Sequence, residues 1–157
     1  MTREKNKKKY AVVGNWNEMH IVQKMGVQEK NVIESNRINE LLNHIVAGDI
    51  LCVPTVVSFA IGAYDLFCKM QYLANHGVEF RSGGEKYLNF SSVNPLSLGT
   101  VEILRNFASR EKAFAEWIKQ SKLPDEAKTQ LIGRICAESL TDIALVFGNN
   151  GIRKKGN

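Results

Sequence analysis

No run of eighteen apolar residues occurs anywhere in the chain, and the first ten residues, MTREKNKKKY, are polar and basic, so neither a membrane-spanning helix nor a secretory leader is expected. The expected location is cytoplasmic, with no membrane contact. Only three cysteines are present, Cys52, Cys68 and Cys136, and none is spaced as CxxC. That excludes a disulfide framework and a zinc ribbon and fits thiols kept reduced. His20, His44 and His76 lie far apart, with no carboxylate or cysteine cluster around them, so no metal and no cofactor is expected. Phosphate-cradling glycine loops are missing too. Gly83-Gly84-Glu85-Lys86 lacks the GxxxxGK[ST] spacing, and no GxGxxG follows an apolar run. There is no GxSxG elbow and no HExxH helix, and the acidic pairs Asp125/Glu126 and Glu138/Asp142 read as solvated helix faces. No serine precedes Ser35, and no internal repeat is visible.

What is present is a globular composition, 44% hydrophobic and 24% charged over 157 residues, enough for one domain with a core and a small appendage. Charge is distributed unevenly. The net charge is +5, but residues 1–9 carry Arg3, Lys5, Lys7, Lys8 and Lys9 against Glu4, and Arg153, Lys154 and Lys155 stand near the other end, leaving residues 10–149 at about −2. Two basic ends on a mildly acidic body point to phosphates, and Lys7, Lys8, Lys9, Arg153, Lys154 and Lys155 are the expected DNA-binding residues.

The stretch 48–82 organises the rest. Ile50-Leu51-Cys52-Val53 has strand length, Leu66, Phe67, Met70, Leu73 and Ala74 follow at helical spacing, and Val78-Glu79-Phe80 resumes alternation. This is a βαβ unit, and its loop, residues 54–62, lies where open parallel sheets place their sites. Upstream, Tyr10-Ala11-Val12-Val13 predicts a central strand, 19–24 a short helix, 31–34 a second strand, and Ile38, Leu41, Leu42, Ile45 and Val46 a helix over 37–47 capped by Ser35 or Asn36. Downstream, Tyr87-Leu88-Asn89-Phe90 predicts a fifth, edge strand.

The longest predicted helix runs over 96–120, with Pro95 at its start. Leu104, Phe107, Phe114 and Ile118 form a heptad stripe with Glu111 in the same seam, and Trp117 widens it, so these residues are the expected dimer interface. After Lys122-Leu123-Pro124, helices are predicted over 125–136 and 140–148, in an order like the first half of a helix-turn-helix. The glycine-containing segment 149–157 is too short for a second half.

Several of these motifs resemble the catalytic domain of serine recombinases, the resolvases and DNA invertases. The GDIL strand at 48–51, the LANHGVEF junction at 73–80 and Ala108-Ser109-Arg110-Glu111-Lys112 carry the likeness, which spans residues 10–120 and runs without a gap over 48–81. Asn94-Pro95-Leu96-Ser97 stands where the family has T-P-M-G, and Glu111-Lys112 where it has a Glu-Arg pair. The resemblance implies a three-layer α/β domain, with a mainly parallel five-stranded sheet, flanking helices and a long dimerisation helix, over residues 10–121. The basic arm, 1–9, precedes this domain, and a small helical segment, 122–157, follows it.

In that family a serine after the first strand attacks a DNA phosphodiester while arginines stabilise the charge growing on phosphorus, chemistry that needs preorganised cations. Position by position, this chain departs from the pattern. The family's Y-A-R-V-S becomes Tyr10-Ala11-Val12-Val13-Gly14, so the strand arginine is Val12 and the nucleophile is Gly14. Its Asp-Arg-Leu-Gly-Arg loop becomes Val57-Ser58-Phe59-Ala60-Ile61. A further family arginine falls nearest Ser35, with Arg37 two places off. Only Glu111 and, as a weaker cation, Lys112 remain. No catalytic residue is assigned, and strand transfer is not expected. The expectation is a recombinase-like protein, of the mobile-element type, that binds DNA or a recombinase partner, as homodimer or heteromer, without cutting DNA. Two alternatives remain: an atypical recombinase or small-ligand enzyme using Ser58 and Lys112, and a pure protein-interaction module.

Overall fold

Parallel strands covered on both faces read as unbroken apolar runs, and the two central strands here do so. In the computed structural model, which describes residues 7–148, β1 (Lys9–Val13), β2 (Val32–Glu34), β3 (Ile50–Val53) and β4 (Glu79–Ser82) form one parallel sheet in the order β2-β1-β3-β4. The pleat divides the side chains between two cores. Ala11, Val13, Ile50 and Cys52 face α1 (Met19–Lys24) and its Val22. Val12, Leu51, Val53 and Phe80 face α2 (Ile38–Leu42) and α3 (Ala63–Asn75).

Two glycines make the tight junction at the amino edge of β3 and β4. Gly48 and Gly77 both have positive φ, 94° and 71°, and the Gly48 N–H donates to the Gly77 carbonyl at 2.9 Å. A side chain at either position is strained in that conformation, which explains the glycine that ends α3 before Val78.

The sheet has four strands, not five. Residues 87–90 form no strand. A 3-10 turn, Lys86–Leu88, occupies the place, and only Phe90 pairs, antiparallel, with Phe80. The turn tucks Leu88 into the core, and Phe90 is held there by its two backbone bonds to Phe80, a single bridge rather than a ladder.

The helix expected over 37–47 is shorter. A 3-10 turn, Ser35–Arg37, precedes it, neither Ser35 nor Asn36 caps it, and the chain beyond Leu42 is held by backbone turns and by the Asp49 carboxylate, which accepts from the Val46 N–H at 3.0 Å.

α4 (Leu98–Gln120) starts two residues later than the sequence suggests, because the Ser97 hydroxyl accepts from the Thr100 N–H at 3.1 Å and fixes the cap. The C-terminal expectation is also corrected. A single helix, α5 (Asp125–Phe147), replaces the two over 125–136 and 140–148, so no helix-turn-helix begins here. Nothing between Cys136 and Leu140 breaks a helix, and the Thr141 hydroxyl donates back to the Ala137 carbonyl at 3.1 Å across the supposed turn. α5 runs antiparallel to α4, with Lys128 reaching the Lys119 carbonyl at one end and Arg110 facing Asp142 at the other. Its Leu140, Ile143 and Phe147 enter the same core as the sheet. No helix among the described residues is long and apolar enough to cross a membrane.

Candidate functional site

The carboxyl edge of the sheet is where β1 gives way to Gly14 and β3 to the turn Val56–Ser58. Thr55 caps that turn with its hydroxyl, and Asn15 caps the next short turn, Trp16–Glu18, by accepting from the Asn17 N–H at 2.9 Å. These two caps aim Glu18 and Ser58 at each other. The Ser58 hydroxyl lies 2.9 Å from both oxygens of the Glu18 carboxylate, and the Gly14 N–H donates to the same carboxylate at 2.7 Å. Ser58 is buried, Glu18 half-buried and Gly14 exposed, so the cluster closes the floor of the cleft and meets solvent along one side.

Beside it lies a shallow groove of about 250 Å³ bounded by Ser35, Asn36, Val57, Ser58, Ile61 and Lys69. Its cation is occupied. The Lys69 ammonium donates to Asp65 at 2.8 Å and to the Phe59 carbonyl at 3.1 Å, and sits over the Phe59 ring at 5.6 Å. Val57 and Ile61 are 53% and 78% exposed, so two apolar side chains face solvent at positions where the recombinase resemblance would place cleft chemistry.

Glu111 lies in the interior. It accepts from the Ala63 N–H at 2.6 Å and the Tyr64 N–H at 3.1 Å, capping α3 from α4. A side chain at Gly62 would come within 2.6 Å of its oxygen and 2.9 Å of the Cys136 Cβ, so Gly62 is required by crowding. Burial pushes the Cys136 thiol up, and Glu111 beside it pushes the same way; burial also raises Cys52. Both causes favour the protonated thiol over the thiolate. Cys68 is exposed.

The remaining sequence-selected residues fall in different places. Val12 is fully buried between sheet and helices. Lys112 stacks over the Tyr64 ring at 4.4 Å and does not line the groove at Ser58, where Lys69 stands instead. The structure thus pairs Ser58 with Glu18 and leaves Lys112 outside. Lys7, Lys8 and Lys9 gather at the opposite, amino edge of the sheet, while Arg153, Lys154 and Lys155 lie outside the described residues. Of the expected dimer stripe, Leu104 is corrected: it is fully buried in the protomer's own core, with Phe107 packed partly against that core. Phe114 is 40% exposed, and Ile118 is half-buried.

Sequence reasoning missed Glu18, Asp65, Lys69 and Glu85. Of these only the Asp65/Lys69 pair had a signal, its i,i+4 spacing on a helix. No family model matches this sequence, and no curated protein matches it significantly.

Proposed function

We propose that this chain is a recombinase-like scaffold that does not transfer strands and acts by binding DNA or a recombinase partner. The observation that carries the reading is the Glu18 carboxylate, which takes both the Gly14 N–H and the Ser58 hydroxyl at the cleft where a phosphodiester would have to react. A fixed negative charge about 4 Å from an approaching phosphate opposes it by about 1–4 kcal/mol, depending on solvent access. Transition-state stabilisation of that phosphate needs cations instead. Ser58 paired with a carboxylate has the form of a nucleophile and base, but among the described residues the cation beside it, Lys69, is already bonded to Asp65 and the Phe59 carbonyl, which disfavours the atypical-enzyme reading.

The test is a supercoiled-plasmid assay with the wild-type chain and with Gly14→Ser. A Cβ at Gly14 would meet Glu18 and Ser58 at 3.5 Å, an ordinary contact, so the variant is expected to fold. Neither protein is expected to nick DNA or form a covalent adduct, because restoring a hydroxyl restores no cation. An adduct with either one overturns the non-catalytic half. Gel-shift affinity is expected to fall steeply with salt, and absence of binding overturns the DNA half.

The partner half rests on the outer face of α4. Trp117 is 68% exposed and stands edge-on to Phe114, ring centres 5.5 Å apart, an aromatic pair left open to solvent. Self-association through this face is expected to weaken on Trp117→Glu, read as a smaller weight-average mass in sedimentation equilibrium. An unchanged mass distribution from an associating wild type excludes α4 as the seam.

A further inference from the structure

The amino edge of the sheet, opposite the cleft, is built from cations that nothing in the cleft or on α4 uses. We propose that this edge binds the phosphates of a nucleic-acid strand through Lys7, Lys8 and Lys30, an inference that rests on the DNA-binding reading above and gives it a surface. Lys30 is invisible to a charge count of the chain ends. It lies just ahead of β2, which pairs with β1 from Ala11 opposite Val32 onward, and it lines the same hollow as Lys7, Lys8 and Lys9. The 3-10 turn Glu29–Asn31 holds it there, with the Asn31 N–H donating to the Gln28 carbonyl at 2.9 Å.

Two hollows meet at this edge. One, of about 540 Å³, is lined by Lys7, Lys8, Lys9 and Lys30 together with Gly26 and Asn31. The other, of about 380 Å³, lies around the edge on the α2 side, shares Lys8, Lys30 and Asn31, and continues to Tyr10 and His44, whose rings stand edge-on at 6.1 Å. The shared residues make one trough of the two. Lys9 is fixed by donating to the Met25 carbonyl at 3.0 Å, and the Lys8 backbone is pinned by Asp49 and by the Ile50 N–H, which leaves the Lys8 side chain exposed over an anchored strand.

No ion pair engages these four ammonium groups among the described residues. Of the carboxylates nearby, Glu40 pairs with Arg37 at 2.8 Å, Asp49 is buried against the N–H groups of Lys8 and Val46, and Glu29 stands next to Lys30 on the same turn. Four ammonium groups line the first hollow and outnumber Asp49 and Glu29, so the charge balance at the trough is positive, the condition that attracts polyanions.

The chemistry favours a strand over a single phosphate. A lone phosphate or nucleotide is held by converging backbone N–H groups at a glycine loop or a helix start. Here the donors are flexible ammonium groups spread along an open trough, which neutralise successive backbone phosphates without reading sequence. At the far end of the second hollow the exposed His44 ring, edge-on to Tyr10, stands beside the phosphate path, where an unstacked base can meet it.

The experiment is fluorescence anisotropy with the full chain, using labelled single-stranded and duplex DNA over about 50–200 mM salt. Wild type is compared with Lys8→Gln/Lys30→Gln, and with Lys122→Gln at the α4–α5 turn as a control for charge. The double variant is expected to bind on the order of tenfold or more weakly and to lose about two units of the log–log salt slope, with unchanged circular dichroism. The control is expected to keep the wild-type slope. A double variant that keeps the wild-type slope while the wild type binds overturns the trough and leaves the DNA reading standing. A wild type that binds no DNA overturns both. Competition by a nucleoside monophosphate as effective as an equal concentration of strand phosphate overturns the strand in favour of a small phosphate ligand.

Discussion

Replacing Glu111 by alanine is expected to lower the unfolding free energy by about 2–4 kcal/mol, read as a lower urea midpoint at unchanged slope. The carboxylate is 6% exposed and takes two backbone N–H groups at the start of α3, where no local side chain caps the helix. Its charge also sits at the positive end of a thirteen-residue helix. Alanine leaves the two donors facing a small void between α3, α4 and α5. Glutamine keeps the shape but is expected to recover less than half of the loss, because its amide group must turn an N–H toward one of two donors, and a backbone N–H cannot reverse its role. A midpoint within error of wild type for Glu111→Ala would remove the cap from the account of this fold.

In the resemblance, Glu111 stands where recombinases have the Glu of a Glu-Arg pair, a position that would suggest a chemical role. Its bonds give it a folding role that needs no catalysis. Lys112 likewise has a local partner in the Tyr64 ring. Both residues are thus held by local structure, while the cleft itself carries Gly14, Val57, Ser58 and Ile61.

The central strands were legible because both faces are buried. Val12 and Val13 have to be apolar whichever way the pleat points, and so do Leu51 and Cys52. The same signal misled at residues 87–90, where Leu88 and Phe90 alternate with polar neighbours and are indeed buried, yet Leu88 by a 3-10 turn and Phe90 by a lone bridge to Phe80. Alternation reports which side chains are covered; it does not report which N–H groups pair. On α4 the spacing of the stripe was legible but its facing was not, because periodicity does not say which neighbour a face meets. Leu104 and Glu111 are buried within the domain, while Phe114 stands partly open. The cleft was least legible of all. Ser58 and Glu18 are 40 residues apart and meet only because β1 and β3 are neighbours.

The second large effect is expected at Glu85, a residue that the sequence marks only as part of a failed glycine loop. It is 4% exposed and gathers three donors: the Thr55 hydroxyl at 2.8 Å, the Ser82 hydroxyl at 2.6 Å and the Val56 N–H at 2.9 Å. These bonds tie the end of β4 to the first residues of the turn that carries Ser58. Glu85→Ala is expected to cost about 3–4 kcal/mol, since each buried donor left unmet costs about 1–3 kcal/mol and the hydroxyls recover part of this by rotating. Glu85→Gln is expected to cost only about 1 kcal/mol, because the Thr55 hydroxyl can turn to accept from the new amide while the amide oxygen keeps Val56 and Ser82. The contrast with Glu111, where glutamine is poorly tolerated, follows from the donors alone: hydroxyls reverse and backbone amides do not. Urea unfolding of the four variants checks the order, and hydrogen exchange at Val56 checks the cause, with protection expected to fall in Glu85→Ala and to hold in Glu85→Gln. If the two glutamine variants were equally destabilised, neither carboxylate would owe its effect to the partners named here, and the turn under Ser58 would have to be held by something else.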